Sequence, residues 1–319
     1  MFKQLLTSSL LLASAHVWAN NPIDLEAQAD KTITQLYHSQ LIKSKSDCSS
    51  RIDAISAQFL GQPYLLTALG EGKQGYFDNA PLYRVDAFDC ETYVDTVLAL
   101  AMGHDTISFK RYIRQVRYKE GKVGFLHRNH FTCLDWNQNN QKQGFLKDIT
   151  TSFHDQHGKP IAKIAQALIN KSAWHQHLSP NIIRIQTPST LQQTKRLAEL
   201  KRRGNLLPNA IARIPYIPLT ALFDPAGAPN MHLFNQIPNG AIIEIVRPNW
   251  DLEQQIGTHL NVSHLGFAIL KNGRLMFRNA SSLKHQVTDV PLIDYLREAQ
   301  NSPTTEGINV QILIKKYPR

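Results

Sequence analysis

The chain has 319 residues, of which 42% are hydrophobic, 19% charged and 8% aromatic, and its formal net charge is +10. This composition is globular and excludes a disordered, collagen-like or coiled-coil protein. Three cysteines are too few for a disulfide scaffold, and the basic charge favours anionic partners, although no motif indicates nucleic acid.

The first 19 residues have the features of an export signal. Lys3 supplies a positive charge, residues 5–13 are mostly apolar, and Val17-Trp18-Ala19 is a small-x-small cleavage site. The apolar run is shorter than the roughly 20 residues that cross a bilayer. A retained anchor is the alternative, but the triplet favours cleavage after Ala19. We therefore expect an exported protein, periplasmic or secreted, without a membrane span.

The N-terminal part of the chain is predicted to be helical. Apolar residues recur at helical spacing over residues 24–60, whereas residues 61–88 are rich in Gly, Pro, Asn and Asp and indicate a long loop. Asp89 is a typical N-cap for a helix over residues 89–102, and a further helix is expected over 108–118.

The middle of the chain, residues 120–240, has a weaker pattern. We predict helices near 160–173 and 189–203 from the spacing of their apolar residues. Proline-rich connections are expected around 208–218 and 225–238.

From residue 240 onward the pattern changes to strands. Short apolar runs separated by turn residues lie at 242–246, 262–270, 275–279 and 308–314. Asn272-Gly273 predicts a hairpin turn, because these residues tolerate the positive φ of a tight turn. A helix is expected near 291–299. Helices first and antiparallel strands last indicate an α+β fold.

Cys90, in the segment Phe88-Asp89-Cys90-Glu91-Thr92-Tyr93-Val94, is the strongest chemical feature. It falls in the first turn of a predicted helix, where unpaired N–H groups and the helix dipole favour the nucleophilic thiolate. The same N–H groups can hold the oxyanion of a tetrahedral intermediate. The alternative is a structural thiol, since cysteine is among the most buried residue types.

His264 is the candidate base for this thiol. It lies in the alternating pattern of residues 262–267, an unusual position for a histidine that only packs. With a turn at 272–273, His264 lies opposite Ser281, and Asn279 is two residues away on the same face. An amide oxygen there can orient an imidazole, which is the third role of a triad. The alternative is a core histidine with satisfied hydrogen bonds.

Several short motifs resemble the NlpC-type, papain-like cell-wall hydrolases. They are Gly61-Gln62-Pro63-Tyr64, Phe88-Asp89-Cys90 and Ser263-His264-Leu265-Gly266. Further segments are similar to the N-acetylmuramoyl-L-alanine amidase-like branch: Leu69-Gly70-Glu71-Gly72, Asp86-x-Phe88-Asp89-Cys90-Glu91-Thr92, Arg128-Asn129-His130-Phe131 with Trp136, and Arg278-Asn279-Ala280-Ser281. The resemblance implies a catalytic cysteine at a helix N-terminus, packed on an antiparallel sheet.

The resemblance also implies roles for individual residues. Cys90 corresponds to the nucleophile and His264 to the general base. Tyr64 matches a tyrosine that positions substrate and nucleophile. The branch usually has a histidine where this chain has Asn279, whose side-chain oxygen can still accept the imidazole N–H.

The loop 70–86 and the segment 128–136 match the amidase-like branch and are expected to form the walls of the cleft. Three of their residues are expected to lie near substrate or oxyanion: Arg84, Arg128 and His130. Four of their aromatic residues offer flat surfaces on which sugars stack: Tyr76, Tyr83, Phe131 and Trp136. The alternative for the second segment is a hydrogen-bonded loop packed by its own aromatic residues.

Two other groups of residues leave alternatives open. A zinc site would use residue types found at His127, His130, Asp135 and His154. No His-Glu-x-x-His pattern is present, and we predict neither a metal nor another cofactor. Cys48 and Cys133 either pair in an oxidising compartment or remain separate thiols.

Residues 20–319 are therefore predicted to form one papain-like α+β domain, with a helical extension at 20–60. The expected activity is hydrolysis of an amide bond in peptidoglycan or muropeptides, between N-acetylmuramic acid and L-alanine. One alternative is a stem-peptide endopeptidase that cuts after γ-D-glutamate, and another is a cell-wall binding module without turnover. The sequence does not indicate an oligomeric state.

Overall fold

A computed structural model describes residues 24–43, 45, 47–186 and 189–314. The predicted export signal at residues 1–19 lies outside these residues. The α-helices are α1 (Leu25–His38), α2 (Gln40–Lys43), α3 (Cys48–Ala57), α4 (Cys90–Met102), α5 (Thr106–Arg117), α6 (Asn137–Lys142), α7 (Lys171–His177), α8 (Thr190–Gly204), α9 (Leu219–Leu222), α10 (Met231–Phe234), α11 (Glu253–Ile256) and α12 (Leu292–Ala299). The strands are β1 (Leu146–Asp148), β2 (Lys163–Ile169), β3 (Ala210–Pro218), β4 (Ala241–Leu252), β5 (Thr258–Lys271), β6 (Arg274–Ser281), β7 (Gln286–Pro291) and β8 (Gly307–Leu313).

The N-terminal helices begin where the sequence provides aspartate caps. Asp24, Asp47, Asp89 and Asp105 each accept a backbone N–H in the first turn of α1, α3, α4 and α5 respectively. Such a cap satisfies an N–H group that has no partner inside the helix and is worth about 1 kcal/mol. The predicted helices in this part of the chain and the long loop at 61–88 are confirmed.

Two predictions for the middle of the chain are wrong. The helix expected near 160–173 is instead strand β2 followed by α7, because burial alternates residue by residue along β2. The connection expected at 208–218 is strand β3, which pairs with β2 along its length. β3 pairs with β8 only at Ile217 and Pro218. At Pro215, the edge of β3 that faces away from β2 has no strand partner, so the N–H that proline lacks is not needed there.

The strands form one antiparallel sheet in the order β2-β3-β8-β4-β5-β6-β7, and β1 pairs with β8. The hairpin turn at Asn272-Gly273 is confirmed, with positive φ at both residues and Lys271 opposite Arg274. The β5–β6 pairing ends at Phe267 and Arg278, so the expected pairing of residues 264 and 281 does not form. The predicted α+β class is confirmed.

Helices cover both faces of this sheet. Ile242 and Phe267 pack against α1, α3, α4 and α5, whereas the next residues, Ile243 and Ala268, pack in the cluster with α9, α10 and α12. Every residue of α4 from Thr92 to Met102 is buried. The end of α4 that carries Cys90 is therefore held by the main core.

The helices at 24–60 are part of this core, since Ile33, Ile52 and Ile55 are fully buried in the same cluster as α4. The boundary of a separate extension at residue 60 stays a prediction. Within the described ranges, no helix combines the length and apolarity needed to cross a membrane.

Candidate active site

Cys90 is the first residue of α4, and its position is fixed by a reciprocal cap. The Thr92 N–H donates to the Asp89 carboxylate at 2.8 Å, and the Asp89 N–H donates to the Thr92 hydroxyl at 2.9 Å. The cysteine opens onto a cavity of about 320 Å³. Its lining residues are Tyr64, Leu66, Thr67, Leu69, Asp89, Cys90, Glu91, Thr92, Asp95, Arg117, Arg128 and His130.

The environment of Cys90 favours the thiol in the resting protein. Burial raises its pKa, and the carboxylates of Asp89 and Glu91 raise it further. Backbone N–H groups of Leu265 and Glu91 act in the opposite direction but do not outweigh burial. The sequence predicts a thiolate because Cys90 lies at a helix start, but burial outweighs that effect. Since the resting group is a thiol, a base must take its proton when it reacts.

His264 has the protonation state that such a base requires. Its Nε2 lies 3.0 Å from Asn279 Oδ1, and the Asn279 amide donates to the Phe277 carbonyl at 3.3 Å. The Phe277 carbonyl fixes the amide orientation, so Nε2 of His264 carries the hydrogen and Nδ1 has a free lone pair. Burial lowers the pKa of His264, which keeps the ring neutral.

Strand β5 passes close to the thiol at the residue after His264. The N–H of Leu265, the next residue on β5, acts on the Cys90 sulfur. Tyr295 of α12 stacks on the His264 ring with centroids 6.4 Å apart. Burial, and then the charge of a Cys90 thiolate, raise the pKa of Tyr295 to about 12. No sequence motif marks Tyr295.

Tyr64 also lies next to the nucleophile. Its segment pairs with the residues before α4, since the Leu65 N–H donates to the Phe88 carbonyl at 2.8 Å. Burial raises the pKa of Tyr64 to about 12, with contributions from Cys90 and Asp89. Tyr64 and Cys90 thus line one cavity, and His264 is bonded to Asn279, but neither His264 nor Asn279 is among the residues that line this cavity. The catalytic roles of all four residues stay predictions.

Arg128 lines the cavity, but its charge is already paired. Its guanidinium contacts Glu71 and lies 3.0 Å from Asp78, which Arg184 also binds at 2.6 Å. Arg184 was not identified from the sequence, because it is 106 residues from Asp78. The ion pairs give Arg128 a clear structural role as a wall of the cavity.

His130 lines the same cavity in its neutral form. Its Nε2 lies 2.8 Å from the Phe125 carbonyl and must donate to it. Burial lowers the pKa of His130 well below its usual value, and Arg128 adds to this effect. The ring can therefore accept one hydrogen bond through Nδ1.

Arg84 has a different position from the one expected. Its guanidinium makes two hydrogen bonds to Asp86, at 2.8 and 2.6 Å. It is not among the residues that line the cavity with Cys90. A substrate role for Arg84 has no support from this placement.

The expected aromatic walls are wrong for three of the four residues. Tyr83, Phe131 and Trp136 are almost fully buried, because their rings complete the core. Trp136 donates to Asp95 at 2.7 Å and Tyr83 donates to Asp30 at 2.9 Å. Tyr76 is 52% exposed but does not line the cavity. The packed-loop alternative describes Phe131 and Trp136.

An acidic pair that sequence reasoning missed, the buried Asp95 and the half-buried Glu91, lines the cavity beside the thiol. Burial raises the pKa of Asp95 to about 7 and raises that of Glu91 well above its usual value. Arg117 Nε lies 3.7 Å from the Asp95 carboxylate and partly compensates its charge. Glu91 accepts a hydrogen bond from Thr132 at 3.3 Å. One turn of α4 separates the two carboxyl groups.

Two of the four residues of the zinc alternative have other partners. Asp135 binds Lys171 at 2.6 Å, and His130 binds the Phe125 carbonyl. In the part of the chain that the structure describes, no group of three or more His, Cys, Asp or Glu side chains is arranged to hold a metal ion.

The two remaining cysteines lie in different parts of the core. Cys48 packs against the cluster that contains α4, whereas Cys133 is a free, buried thiol in the cluster between β2 and β3. The structure therefore contains no disulfide between Cys48 and Cys133.

The chain is similar to proteins of a known family. A family model described as N-acetylmuramoyl-L-alanine amidase-like matches residues 54–305. The crystal structure of a Legionella pneumophila protein is 51% identical, covers 92% of this chain and 97% of its own, and has a TM-score of 0.89. An N-acetylmuramoyl-L-alanine amidase of Bacteroides uniformis is 23% identical, over 84% of this chain and 99% of its own, with a TM-score of 0.59. The second likeness is one of fold. No curated protein is significantly similar to the chain.

Proposed function

The chain belongs to the N-acetylmuramoyl-L-alanine amidase-like family, and from this premise we propose that it hydrolyses the amide between N-acetylmuramic acid and L-alanine with Cys90 as nucleophile. The observation that carries the proposal is a thiol at the start of α4 that contacts Leu265, the residue after a neutral His264 imidazole held by Asn279. The same arrangement supports the NlpC-type, papain-like relationship that the sequence motifs suggest. No cofactor is needed.

The proposed reaction uses the His264–Asn279 pair to move one proton. Nδ1 of His264 takes the Cys90 proton as the sulfur attacks the lactyl carbonyl carbon and a C–S bond forms. N–H groups in the first turn of α4 stabilise the oxyanion. The imidazolium then gives its proton to the leaving amine, the C–N bond breaks and the peptide departs. Water, activated by the same imidazole, breaks the C–S bond and releases the muramoyl carboxylate.

The buried state of the thiol suits this scheme. A permanent thiolate would be costly inside the cavity, because burial penalises its charge. Transfer to the adjacent neutral imidazole creates the charge only when the substrate carbonyl is ready to accept the electron pair.

The test is mass spectrometry of muropeptides after incubation with the full chain. We expect a free peptide that begins with L-alanine, and loss of at least about a thousandfold in turnover for Cys90→Ala. Cys133→Ala is the matched control, because it removes a cysteine away from the cavity. A fragment cut after γ-D-glutamate would replace the proposed bond by the endopeptidase alternative. If no product forms, the alternative of a cell-wall binding module without turnover would replace the proposed hydrolysis.

Export to the periplasm is part of the proposal and is supported by the N-terminal sequence. Peptidoglycan lies outside the cytoplasm, so an enzyme with this substrate and a cleavable signal at residues 1–19 would meet it there. N-terminal sequencing of the protein from a bacterial periplasmic fraction tests this point, with residue 20 expected as the first residue.

A further inference from the structure

A second, larger cavity adjoins the one that contains Cys90. Its volume is about 600 Å³, within the range of ligand-binding pockets. Arg128 and His130 line both cavities, so a ligand can extend from one into the other. We name the second cavity the basin; it is bounded by residues 119–120, by segments between 126 and 143, and by Lys171, His175, Leu207 and Pro208.

The basin has an excess of positive charge. Its two carboxylates are already paired, since Glu120 binds Lys122 at 2.8 Å and Asp135 binds Lys171 at 2.6 Å. Lys119 and Lys142 are exposed and form no ion pair within the described ranges. The hydrogen bond from Lys122 lowers the pKa of Glu120 most, and the charges of Lys119 and Lys142 lower it further. Together they favour an anionic ligand.

His175 adds an unpartnered acceptor to the same basin. It is 1% exposed, and its Nδ1 lies 2.7 Å from the Lys171 carbonyl, to which it must donate. Its Nε2 is then a bare acceptor, and this buried atom has no hydrogen-bond partner among the described residues. A buried acceptor without a partner costs free energy that a ligand N–H or O–H would recover.

We infer that the basin binds the stem peptide of the muropeptide, with Lys119 and Lys142 on its carboxylates and His175 accepting a peptide N–H. This inference rests on the proposed function. The peptide fits better than the glycan, because the N-acetylated sugars are neutral and the lactyl carboxyl is consumed in the scissile amide. The stem carries the free carboxylates and several N–H donors, the two features that the basin complements.

The test compares a double variant with two substrates. Lys119→Ala combined with Lys142→Ala should raise KM about tenfold at low salt for a muropeptide with a tripeptide stem, with kcat changed less than twofold. N-acetylmuramoyl-L-alaninamide, which has no stem carboxylate, should show an unchanged KM. Lys163→Ala combined with Lys195→Ala removes the same charge from exposed positions that do not line the basin, and both substrates should then behave as with the wild type.

A binding measurement separates this inference from the proposed function. Free L-alanyl-γ-D-glutamyl-diaminopimelate should bind the wild-type protein in calorimetry about tenfold more tightly than the Lys119/Lys142 double variant. Binding with that difference, without cleavage of any muropeptide, would refute the proposed activity and leave the basin as a peptide site. An equal KM change for both substrates, an equal effect of the control variant, or no binding difference would each overturn the inference.

Discussion

Replacement of Asn279 by alanine removes the acceptor that holds the imidazole of His264. Asn279 is 2% exposed, and its Oδ1 lies 3.0 Å from His264 Nε2. In the proposed reaction this hydrogen bond acts on a charged imidazolium, for which the net contribution is about 1.5–3 kcal/mol. Since about 1.4 kcal/mol corresponds to a factor of ten in rate, kcat should fall about ten- to a hundredfold. Proton transfer through Nδ1 remains possible, so activity should not disappear.

The pH profile distinguishes this role from a purely structural one. Burial lowers the pKa of His264, and the hydrogen bond to Asn279 opposes that shift. The acidic limb of kcat/KM, which reports loss of the neutral base, should therefore lie below the usual histidine pKa. Asn279→Ala should move this limb to lower pH, and Asn279→Asp should move it to higher pH, because a carboxylate stabilises the imidazolium.

The assay is release of peptide from a muropeptide between pH 4 and 9, with thermal melting of each variant. Asn309→Ala is the control, because Asn309 is equally buried in the sheet and has no contact with His264. Asn279→His restores the residue that the amidase-like branch usually carries and should retain substantial activity. An inactive Asn279→His together with a fully active Asn279→Ala, or an acidic limb that does not move in Asn279→Ala, would refute the reasoning.

Two further predictions concern stability. Burial raises the pKa of Glu244 to about 8, so between about pH 4.5 and 8 this group keeps a proton in the folded protein that it loses in the unfolded chain. It should lower the unfolding free energy by up to about 1.4 kcal/mol per pH unit. Glu244→Gln should remove this part of the slope in urea titrations, while Asp95 and Glu91, whose pKa values burial also raises, still contribute. Arg128→Ala removes a positive charge that compensates the buried carboxylates of Glu71 and Asp78, so the free energy of unfolding should fall by about 3–5 kcal/mol. Arg84→Ala breaks only the ion pair with Asp86 and should lower it by less than about 1 kcal/mol. Equal losses for the two arginine variants would contradict the assignment of Arg128 to a buried network.

The parts of the site that depend on local sequence could be predicted. Asp89 and Cys90 define a helix start through neighbouring residues, and the Asn272-Gly273 turn sets the approximate register that brings Asn279 to His264. The strand ladder itself ends before His264, yet the diagonal contact forms.

The predictions that were wrong, and the residues that were missed, concern features that depend on distant parts of the chain. The thiol pKa is set by burial, which no local motif reveals. Phe131 and Trp136 looked like exposed stacking surfaces, but they fill space against residues that are far away in sequence. Tyr295 and Arg184 reach the site region from remote segments, and neither belongs to a recognisable pattern.

The burial of α4 from Thr92 to Met102 links the nucleophile to the slowest motions of the molecule. Hydrogen exchange of a helix that is covered on all sides requires opening of the core, so its amides should exchange at rates set by global unfolding. The loop at 61–88, which carries Tyr64, has no regular helix or strand, but backbone hydrogen bonds and the buried ion pairs of Glu71 and Asp78 hold it in place. Cys90 therefore begins a segment that we expect to be among the most stable of the described chain, so the backbone N–H groups next to the nucleophile keep their positions until the core opens.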